Sequence, residues 1–575
     1  MKVTIAAEYS AEATTDDIVE GILGARNIDN REEFLAPTHP DKLHLDDFFA
    51  DKKDFKKRWK VATELLVKAH KEQKTAVVYC DYDADGLTGG AVLWSTLHGM
   101  GFKVMPHVPD RKLEGYGFSK VGIDAVKEKY DPDLIISVDH GIVAHDKIEY
   151  ARSLGIAVIV TDHHQKKETE PPADAVFHTP EVSGSGVAYF FAKKVADDIG
   201  PLLELGEDQL EKVKEQFKDE FLSLAAIGIV ADMVPLVGAA RSVVKYGLEK
   251  LGKTGNIGLQ QLIRVAGKSG KEISTYEVGF MIAPRINAFG RLTHGIEALR
   301  LLCTKSRKQA IELSGKAQQT NVRRQQLVDA ALREAREMAG LGGKNGKKGN
   351  EEKTDYKLPK LIIVQGENWE EGIIGLIASK LMNELYRPVI VMTRSNNHYK
   401  GSARSVEGVD ITALLRTHQS MLMELGGHEG AAGFSVSTDL VAAFTKKLLA
   451  TAQKTILLSQ IVPTTHVDAA INLSQANLQL CHALKKLQPF GVGNREPLFL
   501  TKATLLDTSK FGSQQQYSKI ILRDDYASLE LMDFQNLAQA QGIAKNSPIT
   551  VAYTLAAEEW NGKIALKGFT REIFQ

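Results

Sequence analysis

Three aspartates stand at alternate positions where an apolar run ends. The stretch "VVYCDYDADGLTGG" (77–90) carries Asp81, Asp83 and Asp85. Aspartate is a poor former of strands and of helix interiors, so local structure does not explain this crowding of like charges. A divalent cation would stabilise carboxylates held this close together. The stretch therefore indicates a metal site.

More acids and imidazoles follow in a similar setting. The runs "LIISV" (134–138) and "AVIVT" (157–161) end on two further clusters, which contain Asp139, His140, Asp162, His163 and His164. Asp232 is the one charged residue of the apolar stretch "LAAIGIVADMVPLVG" (224–238). An ionised aspartate there is costly unless it is paired or bound to metal. A helix-capping or salt-bridged Asp232 is the alternative.

The chemistry of these donors narrows the choice of metal. Carboxylates and imidazoles without thiolates suit Mn²⁺ or Mg²⁺ better than a structural zinc ion. Asp81 and Asp83 can face one cavity, Asp139 can bridge two ions, and the neutral nitrogen of His163 favours Mn²⁺. Two ions about 3.5–4 Å apart would clamp the attacking and leaving oxygens of a phosphoryl displacement. We therefore expect a two-metal site for phosphoryl chemistry.

Short apolar runs alternate with helical patterns from about 75 to 162. The runs "TAVVY" (75–79), "LIISV" and "AVIVT" read as buried strands, and the segments between them read as helices. Strand, helix and strand in succession predict a parallel α/β sheet. Because sites in such sheets lie outside the carboxyl ends of the strands, the acidic clusters should converge there.

The rest of the chain suggests further domains. A long helix is predicted over 305–338, followed by a flexible, Gly- and charge-rich linker over 340–359. A second, smaller α/β domain starts at "KLIIVQG" (360–366), and short alternating segments after 500 predict a small β-barrel or sandwich. The expected divisions are 1–60 (N-terminal helical segment), 61–300 (catalytic domain), 301–359 (connecting helix and linker), 360–460 (second α/β domain) and 461–575 (barrel).

Composition sets limits on location and partners. Basic and acidic residues both number 72, so a polyanion would have to bind a local concentration of positive charge. No apolar run is long enough for a membrane span, and the N-terminus lacks the pattern of a secretory signal. Three scattered cysteines exclude a disulfide framework and favour a reducing, cytoplasmic location.

At this point a family resemblance becomes specific. The stretches "DYDADG", "SVDHG", "TDHH" and "GIVADMVPL" resemble the four successive motifs of the DHH phosphoesterase superfamily. "VPDRKLEGYG", "PRINAFGRL", "KGSARS", "GGHEGAAGFS" and "PFGVGN" resemble its RecJ family, single-strand-specific 5′→3′ exonucleases of recombination and repair. The resemblance runs from about residue 20 to the C-terminus. It implies a DHH domain, a DHH-associated α/β domain and an OB-like barrel.

The resemblance also assigns roles to the acidic clusters. It places the metal ligands on Asp81, Asp83, Asp139, His163 and Asp232. Asp85 and His164 would orient ligands or touch the scissile phosphate, and His140 belongs to the same catalytic set. Val77 stands where many DHH phosphoesterases have a histidine, which the RecJ branch also tends to lack, so the two ions should bind with unequal affinity.

Other positions correspond to substrate-binding residues of the family. A 5′-phosphate pocket is expected from Arg111, Ser402 and Arg404, since arginine forks bind phosphate bidentately. Arg285 and Arg291 would bind the DNA backbone or form a salt bridge that closes the first domain. His428, in a turn of small residues, would contact substrate, with helix packing by Ala431 and Ala432 as the alternative. The aspartate of "VPDR" stands where the family usually has asparagine, and Ala403 stands where it usually has glycine.

The resemblance implies degradation of single-stranded DNA from the 5′ end to 5′ mononucleotides. DNA would pass between the two α/β domains and bind the barrel, where Phe490, Tyr517, Phe534 and Trp560 are candidate stacking residues. Two alternatives stay open: a DHH enzyme acting on short oligonucleotides or cyclic dinucleotides, and a non-catalytic replication scaffold. A monomer is our default, with a helicase and a single-strand-binding protein as candidate partners.

Overall fold

The computed structural model describes residues 2–28, 30–115, 117–341, 358–560 and 563–574. These residues form two compact units. The larger unit comprises residues 2–109, 113–283 and 464–575, and the smaller unit comprises residues 110–112 and 284–463. None of the described helices is long and apolar enough to cross a membrane. Most of the predicted flexible linker, 340–359, lies outside the described residues.

A five-stranded parallel sheet forms the centre of the larger unit. Its strands are β2 (Ala76–Cys80), β3 (Val104–His107), β4 (Leu134–Val138), β5 (Ala157–Asp162) and β6 (Ala175–His178). Their order in the sheet is β3-β2-β4-β5-β6, with every neighbouring pair parallel. All residues of β2 and β4 are buried, which explains their continuous apolar sequences. The predicted parallel sheet is confirmed.

Helices surround this sheet. The helices of the larger unit up to residue 283 are α1 (Thr15–Ala25), α2 (Arg31–Leu35), α3 (Lys52–Lys71), α4 (Ala84–Gly99), α5 (Lys120–Tyr130), α6 (His145–Ser153), α7 (Gly184–Lys194), α8 (Glu207–Phe217), α9 (Glu220–Ala231), α10 (Gly238–Leu251), α11 (Ile257–Val265) and α12 (Thr275–Glu277). Asp83 caps the N-terminus of α4 by accepting hydrogen bonds from the amides of Asp85 (2.9 Å) and Gly86 (3.1 Å).

The C-terminal part of the larger unit is a closed β-barrel. Its elements are β12 (Thr464–Val467), β13 (Ala469–Ala470), α19 (Leu478–Lys485), β14 (Phe499–Phe511), β15 (Tyr517–Arg523), β16 (Ser528–Asp533), α20 (Leu537–Ala540), β17 (Ser547–Trp560) and β18 (Lys563–Phe574). The order β14-β15-β16-β18-β17 closes through pairing of β14 with β17. The predicted OB-like barrel is confirmed.

The N-terminal segment packs with this barrel. Strand β1 (Lys2–Ile5) pairs in parallel with β12, and Ile18, Ile22 and Phe34 belong to the same hydrophobic core as the barrel strands. The expected N-terminal helical segment, 1–60, does not anticipate this strand or the shared core. Pairing between residues 2 and 464 leaves no local trace in the sequence, because each strand is only four residues long.

The smaller unit is a mixed α/β structure. Its elements are α13 (Ala283–Leu292), α14 (Ile296–Cys303), α15 (Arg307–Met338), β7 (Ile362–Gly366), α16 (Ile374–Leu385), β8 (Val389–Ser395), β9 (His398–Arg404), α17 (Ile411–Arg416), β10 (Glu424–His428), β11 (Ala431–Ser437) and α18 (Val441–Thr455). Strands lie in the order β10-β11-β9-β8-β7. Helix α15 is the predicted long connecting helix, and β7, α16 and β8 match the predicted start of the second α/β domain.

Candidate active site

The carboxyl ends of three neighbouring strands bring the acidic clusters together. Cys80 of β2 pairs with Val138 of β4, and Val138 pairs with Thr161 of β5. Consequently Asp81 and Asp139 directly follow strands that end in register. The amide of Asp81 donates to the Val138 carbonyl (3.2 Å), and that of Asp139 donates to the Thr161 carbonyl (3.1 Å). Backbone pairing thus fixes both aspartates at one edge of the sheet.

This edge is also where the strand order reverses. From β2 the chain moves outward to β3 and then returns to the other side of β2 to form β4. The crevice outside the carboxyl ends at such a switch point is the usual binding position in open α/β sheets. The predicted convergence of the clusters therefore occurs at the place that this topology favours.

His163 lies at the centre of the cluster. Its Nε2 is 3.1 Å from Asp139 Oδ1, 3.5 Å from Asp232 Oδ2 and 3.9 Å from Asp85 Oδ2. Asp232 reaches this place from the C-terminal end of α9, not from a strand. The structure thus brings together side chains that follow β2, β4, β5 and α9 in one small volume.

Three overlapping groups of side chains have the spacing of metal ligands. Within each group one ligand atom per residue lies within 4.8 Å of the others, and the groups are Asp81–Asp83–Asp139, Asp85–His163–Asp232 and Asp139–His163–His164. Asp139 and His163 each belong to two groups. All five predicted metal ligands, together with Asp85 and His164, are therefore assembled at this edge.

Several ligand atoms at this edge are buried but lack hydrogen-bond partners. Among the described residues, Asp85 Oδ2, Asp139 Oδ1 and His163 Nε2 are buried atoms of this kind. An unpaired buried oxygen or nitrogen is costly, and several aimed at one volume indicate that something else satisfies them. Carboxylate oxygens and imidazole nitrogens are the donors that Mn²⁺ and Mg²⁺ accept. The residues present therefore fit divalent cations.

The titration of these groups reflects their crowding. Burial, together with the negative charges of Asp85, Asp83 and Asp81, raises the pKa of Asp139 well above 3.8. Burial and the charges of Asp85 and Asp83 raise the pKa of Asp232 to about 8. Burial lowers the pKa of His163. The protein alone thus holds too much negative charge here, which a cation would relieve.

Asp162 is a site residue to which the sequence analysis assigned no role. Its Oδ1 accepts hydrogen bonds from His164 Nδ1 (2.8 Å) and from the His163 amide (2.7 Å), and its Oδ2 accepts one from the Ile142 amide (2.9 Å). Although burial opposes protonation of His164, its hydrogen bond to Asp162 and the nearby negative charges raise its pKa to about 9. Asp162 therefore orients His164 and, in the metal-free protein, favours its protonated form.

His140 is not part of this cluster, although the sequence analysis placed it in the catalytic set. Its fully buried ring packs against Tyr79 and Phe118, and its Nε2 is hydrogen-bonded to the Tyr79 carbonyl (3.0 Å). Burial lowers the pKa of His140 to about 4, so the ring is neutral. The backbone of Asp139 is left-handed (φ 67°), and the His140 ring lies outside the three ligand groups. A catalytic role for His140 stays a prediction.

Residues at the start of α7 hold the acids in place. The Ser183 hydroxyl (2.6 Å) and the Ser185 amide (3.0 Å) both donate to Asp85 Oδ1. A Cβ at Gly184 would lie 2.4 Å from the Cβ of Asp139, so α7 can approach the sheet only with glycine there. The run "SGSG" (183–186) was the available signal, but nothing local connects it with Asp85, 100 residues before Ser185.

A second group of predicted residues lies in the smaller unit. Arg404 donates to Ser402 Oγ (3.2 Å) and to the Ala403 carbonyl (2.7 Å). A Cβ at Gly375, in the first turn of α16, would lie 3.1 Å from both Arg404 Nη2 and Ser402 Oγ. An arginine, a serine and the N-terminus of a helix thus meet at one point, which is a suitable arrangement for phosphate.

His428 lies on the same sheet, at the exposed end of β10. It pairs with Ala431 of β11, and Ala431 pairs with Arg404 of β9, so His428 and Arg404 share one face of the sheet. Gly433 lies opposite Ser402 on that face. The alternative of helix packing by Ala431 and Ala432 is wrong, because both residues lie in a strand.

The other predicted arginines also belong to the smaller unit. Arg285 donates to Gln318 Oε1 (2.8 Å), which links α13 to α15. Arg291 donates to the Gly372 carbonyl (3.1 Å). Arg111 is half-buried, and residues 110–112 group with this unit. The substrate roles of these arginines stay predictions.

The barrel carries a group of aromatic rings around an exposed phenylalanine. Phe534, 47% exposed, lies 5.0 Å from the ring of Tyr517 and 6.1 Å from that of Phe569, with which it stacks. Phe511 lies 5.7 Å from Phe534. In contrast, Phe490 packs against the barrel core. The side chain of Trp560, the remaining candidate, lies outside the described residues.

Comparison with known families agrees with this fold and cluster. Residues 75–229 match the DHH family, N-terminal domain, and residues 358–454 match the DHHA1 domain. The chain thus carries the two domains that define the DHH class of proteins. Residues 467–568 match the RecJ OB domain. This match and 32% identity to one RecJ protein place the chain in the RecJ family.

The matches to RecJ proteins extend over most of the chain. It is 32% identical over 514 residues to the single-stranded-DNA-specific exonuclease RecJ of Thermus thermophilus, covering 88% of this chain and 69% of that protein. Identity to the RecJ of Bacillus subtilis is 31% over 549 residues, covering 95% of this chain and 66% of that protein. The chain thus spans about two thirds of the length of these relatives.

Solved structures show the same architecture. RecJ of Thermus thermophilus in complex with Mn²⁺ superposes with a TM-score of 0.77 at 28% identity, covering 100% of this chain and 79% of that one. An exonuclease RecJ bound to manganese superposes with a TM-score of 0.57 at 33% identity, covering 70% of this chain and 95% of that one. Both of these relatives hold manganese.

Proposed function

We propose that this chain is a single-strand-specific 5′→3′ exodeoxyribonuclease that releases 5′ mononucleotides by metal-dependent hydrolysis. The observation that carries the proposal is the set of three overlapping ligand groups at the carboxyl edge of the sheet. Such a set suits phosphodiester chemistry. The exonuclease activity named for relatives that cover most of this chain supports single-stranded DNA as the substrate.

We assign two divalent cations, Mn²⁺ or Mg²⁺, to this edge. Asp81, Asp83 and Asp139 would hold one ion, and Asp139, His163 and Asp232 would hold the other. When bound, the cations polarise the phosphate and lower the pKa of a coordinated water. The distribution of unpartnered buried atoms around His163 supports this assignment.

The surrounding residues of the chain would position and stabilise the reacting groups. Ser183 and Ser185 hold the carboxylate of Asp85 in place, and Asp85 contributes negative charge to the site. The His164 side chain is 41% exposed, so its ring can form a hydrogen bond with a phosphate oxygen as negative charge develops there. Asp162 holds the His164 ring in the orientation for that hydrogen bond.

End selectivity would come from the smaller unit. We assign the terminal 5′ phosphate to Ser402, Arg404 and the N-terminus of α16, with His428 on the same sheet face contacting the neighbouring nucleotide. Arg111 would contribute a second guanidinium to this phosphate, and Arg285 and Arg291 would bind the backbone. A pocket that binds a terminal 5′ phosphate would select the 5′ ends of strands over internal positions.

The barrel would hold the strand away from the reacting end. We assign base stacking to Phe534 and the rings of Tyr517 and Phe569 around it. Lys519 lies above the Phe511 ring, with its Nζ 6.0 Å from the ring centroid and 3.0 Å from Glu530. A cytoplasmic location, a monomeric state, and a helicase and a single-strand-binding protein as partners stay predictions.

Labelled DNA tests the function directly. Single-stranded DNA labelled at the 5′ phosphate is incubated with the protein and Mn²⁺, Mg²⁺ or a chelator, and products are separated over time. The proposal expects early release of labelled mononucleotide with either metal and none with chelator. Internal cuts, or loss from the 3′ end, would contradict it. Cleavage of dinucleotides but not of long strands would favour the oligonucleotide alternative, and binding without cleavage would favour the scaffold.

A further inference from the structure

Asp232 is the one assigned metal ligand that does not follow a strand of the central sheet. It ends α9, and the backbone of the next residue, Met233, is left-handed (φ 62°). Backbone pairing between strands fixes Asp81 and Asp139, but no strand fixes Asp232. Its amide donates to the Gly228 carbonyl of α9 (2.9 Å), and on its other side its position depends on what holds the short connection from 233 to 237.

That connection is held by the segment that leads into the barrel. The Leu236 amide donates to the Val492 carbonyl (2.8 Å). A Cβ at Gly491 would lie 2.7 Å from Leu236 Cδ1, and one at Gly493 would lie 3.1 Å from Pro235 Cβ. The backbone of Gly493 is also left-handed (φ 73°). The segment "PFGVGN" (489–494) thus lies close against the 233–237 connection, and a side chain at Gly493 would have to displace Pro235.

The 489–494 segment is itself rigidly held. Asn494, fully buried, donates from Nδ2 to the carbonyls of Leu487 (2.7 Å) and Pro489 (2.9 Å), and its backbone carbonyl accepts from the Gly491 amide (2.8 Å). The guanidinium of Arg26 donates to Asn494 Oδ1. The segment can therefore act as a fixed support.

A buried arginine ties the same elements together from the other end of the connection. Arg241 of α10 is completely buried, and it donates to the carbonyls of Leu487 (3.0 Å), Gln488 (2.8 Å) and Phe34 (2.6 Å). Its guanidinium carbon lies 3.7 Å from the centre of the Phe34 ring. The 233–237 connection thus runs from Asp232 to a helix that is bound to the start of the 489–494 segment.

We infer that the 489–494 segment is a positioning element for the metal ligand Asp232. Through its contacts with Pro235 and Leu236 it holds the Asp232 carboxylate beside His163, where the two side chains are 3.5 Å apart. The barrel then has a second role besides binding DNA, because its entry segment completes the metal site. This inference depends on the proposed metal site.

Two matched glycine substitutions test the inference. Gly493→Ala places a Cβ against Pro235, whereas Gly542→Ala, also in the barrel and also left-handed (φ 67°), places its Cβ in open space. Both variants carry the same backbone strain. Mn²⁺ binding is measured by isothermal titration calorimetry, with melting temperature recorded for each metal-free protein. We expect Gly493→Ala to weaken Mn²⁺ binding by about tenfold or more, the range for residues that orient metal ligands, and Gly542→Ala to leave it unchanged.

Equal Mn²⁺ affinities for the two variants would overturn the inference. If Gly493→Ala does not fold, Gly491→Val replaces it, since Gly491 needs no left-handed backbone and a branched side chain there would displace Leu236, whose Cδ1 and Cγ lie 2.7 Å and 3.3 Å from the added Cβ. Gly206→Val, whose Cβ would meet open space, is its control. Wild-type protein that binds no Mn²⁺ would instead contradict the proposed function, so the two failures are distinguishable.

Discussion

Single residues at the sheet edge have both a structural and a chemical role. Asp83 caps α4 through two backbone amides and also belongs to a ligand group with Asp81 and Asp139. Asparagine is as good a helix cap as aspartate but carries no charge. Substitution by asparagine therefore separates the two roles, whereas substitution by alanine removes both.

We predict that Asp83→Asn lowers the rate of DNA hydrolysis by at least about a hundredfold, since the loss of a ligand should exceed that of an outer partner. The metal-free variant should be at least as stable as the wild type, because one of several crowded like charges is gone. Asp83→Ala should lose the same activity and about 1 kcal/mol of stability. Hydrolysis assays and thermal melts with and without Mn²⁺ measure both effects. An active Asp83→Asn protein would remove this residue from the site.

A second residue-scale prediction concerns pH. In the metal-free protein the pKa of Asp232 is about 8 against 3.8 for the free side chain. The folded state then holds a proton that the unfolded chain releases, so this group makes the free energy of unfolding fall as pH rises from 3.8 towards about 8. A cation displaces the proton, so Mn²⁺ affinity should rise over the upper part of this range and level off above about pH 8. Calorimetry in two buffers of different ionisation enthalpy counts the protons released. No proton release at pH 7 would contradict the raised pKa.

At the scale of elements, the sequence revealed strands well and close approaches poorly. "LIISV" corresponds to β4 and "AVIVT" to most of β5, because a parallel strand buried on both faces has a continuous apolar sequence. Convergence of their ends followed from topology alone. The orientation of His140 did not, because the left-handed backbone of Asp139 leaves no pattern in the sequence. The support of Asp85 by Ser183 and Ser185 could not be predicted from topology either, because it depends on how α7 packs.

The close approach of α7 to Asp139 provides the first prediction at the scale of elements. Gly184→Ala should push α7 away from Asp139, since the new Cβ would lie 2.4 Å from the Asp139 Cβ. We expect a loss of about 1–3 kcal/mol from overpacking. Mn²⁺ affinity should fall as well, which calorimetry would detect. Gly315→Ala, on α15 with open space around it, is the control and should stabilise by about 0.5–1 kcal/mol. Unchanged Mn²⁺ affinity in Gly184→Ala would show that α7 does not set the position of Asp139.

The barrel provides a second prediction at the scale of elements. We predict that Phe534→Ala weakens binding of single-stranded DNA by about 1–3 kcal/mol, the value of one base stacked on an aromatic ring. Tyr526→Ala is the matched control, because Tyr526 is 61% exposed in the same barrel, in the turn between β15 and β16. Fluorescence anisotropy with metal-free protein measures binding without cleavage. Equal losses in the two variants would place the stacking surface elsewhere.

At the scale of the whole molecule, charge is balanced, so binding to DNA must be local. The 72 basic and 72 acidic residues give no general attraction to a polyanion. Each phosphate contact then contributes a measurable part of the salt dependence, because it releases counterions from the strand. The salt slope of binding therefore counts the contacts that the chain makes.

Arg404→Gln should reduce the slope of log affinity against log salt by about 0.7 on a 5′-phosphorylated single strand. On a 5′-hydroxyl strand the variant should match the wild type, because the terminal phosphate that Arg404 contacts is absent. Arg394→Gln is the control: Arg394 lies on β8 of the same sheet, with its side chain 53% exposed and 3.5 Å from Glu367. Anisotropy titrations at several salt concentrations with metal-free protein give the slopes. An equal reduction on both strand types would mean that Arg404 binds an internal phosphate, and 5′ selectivity would then need another source.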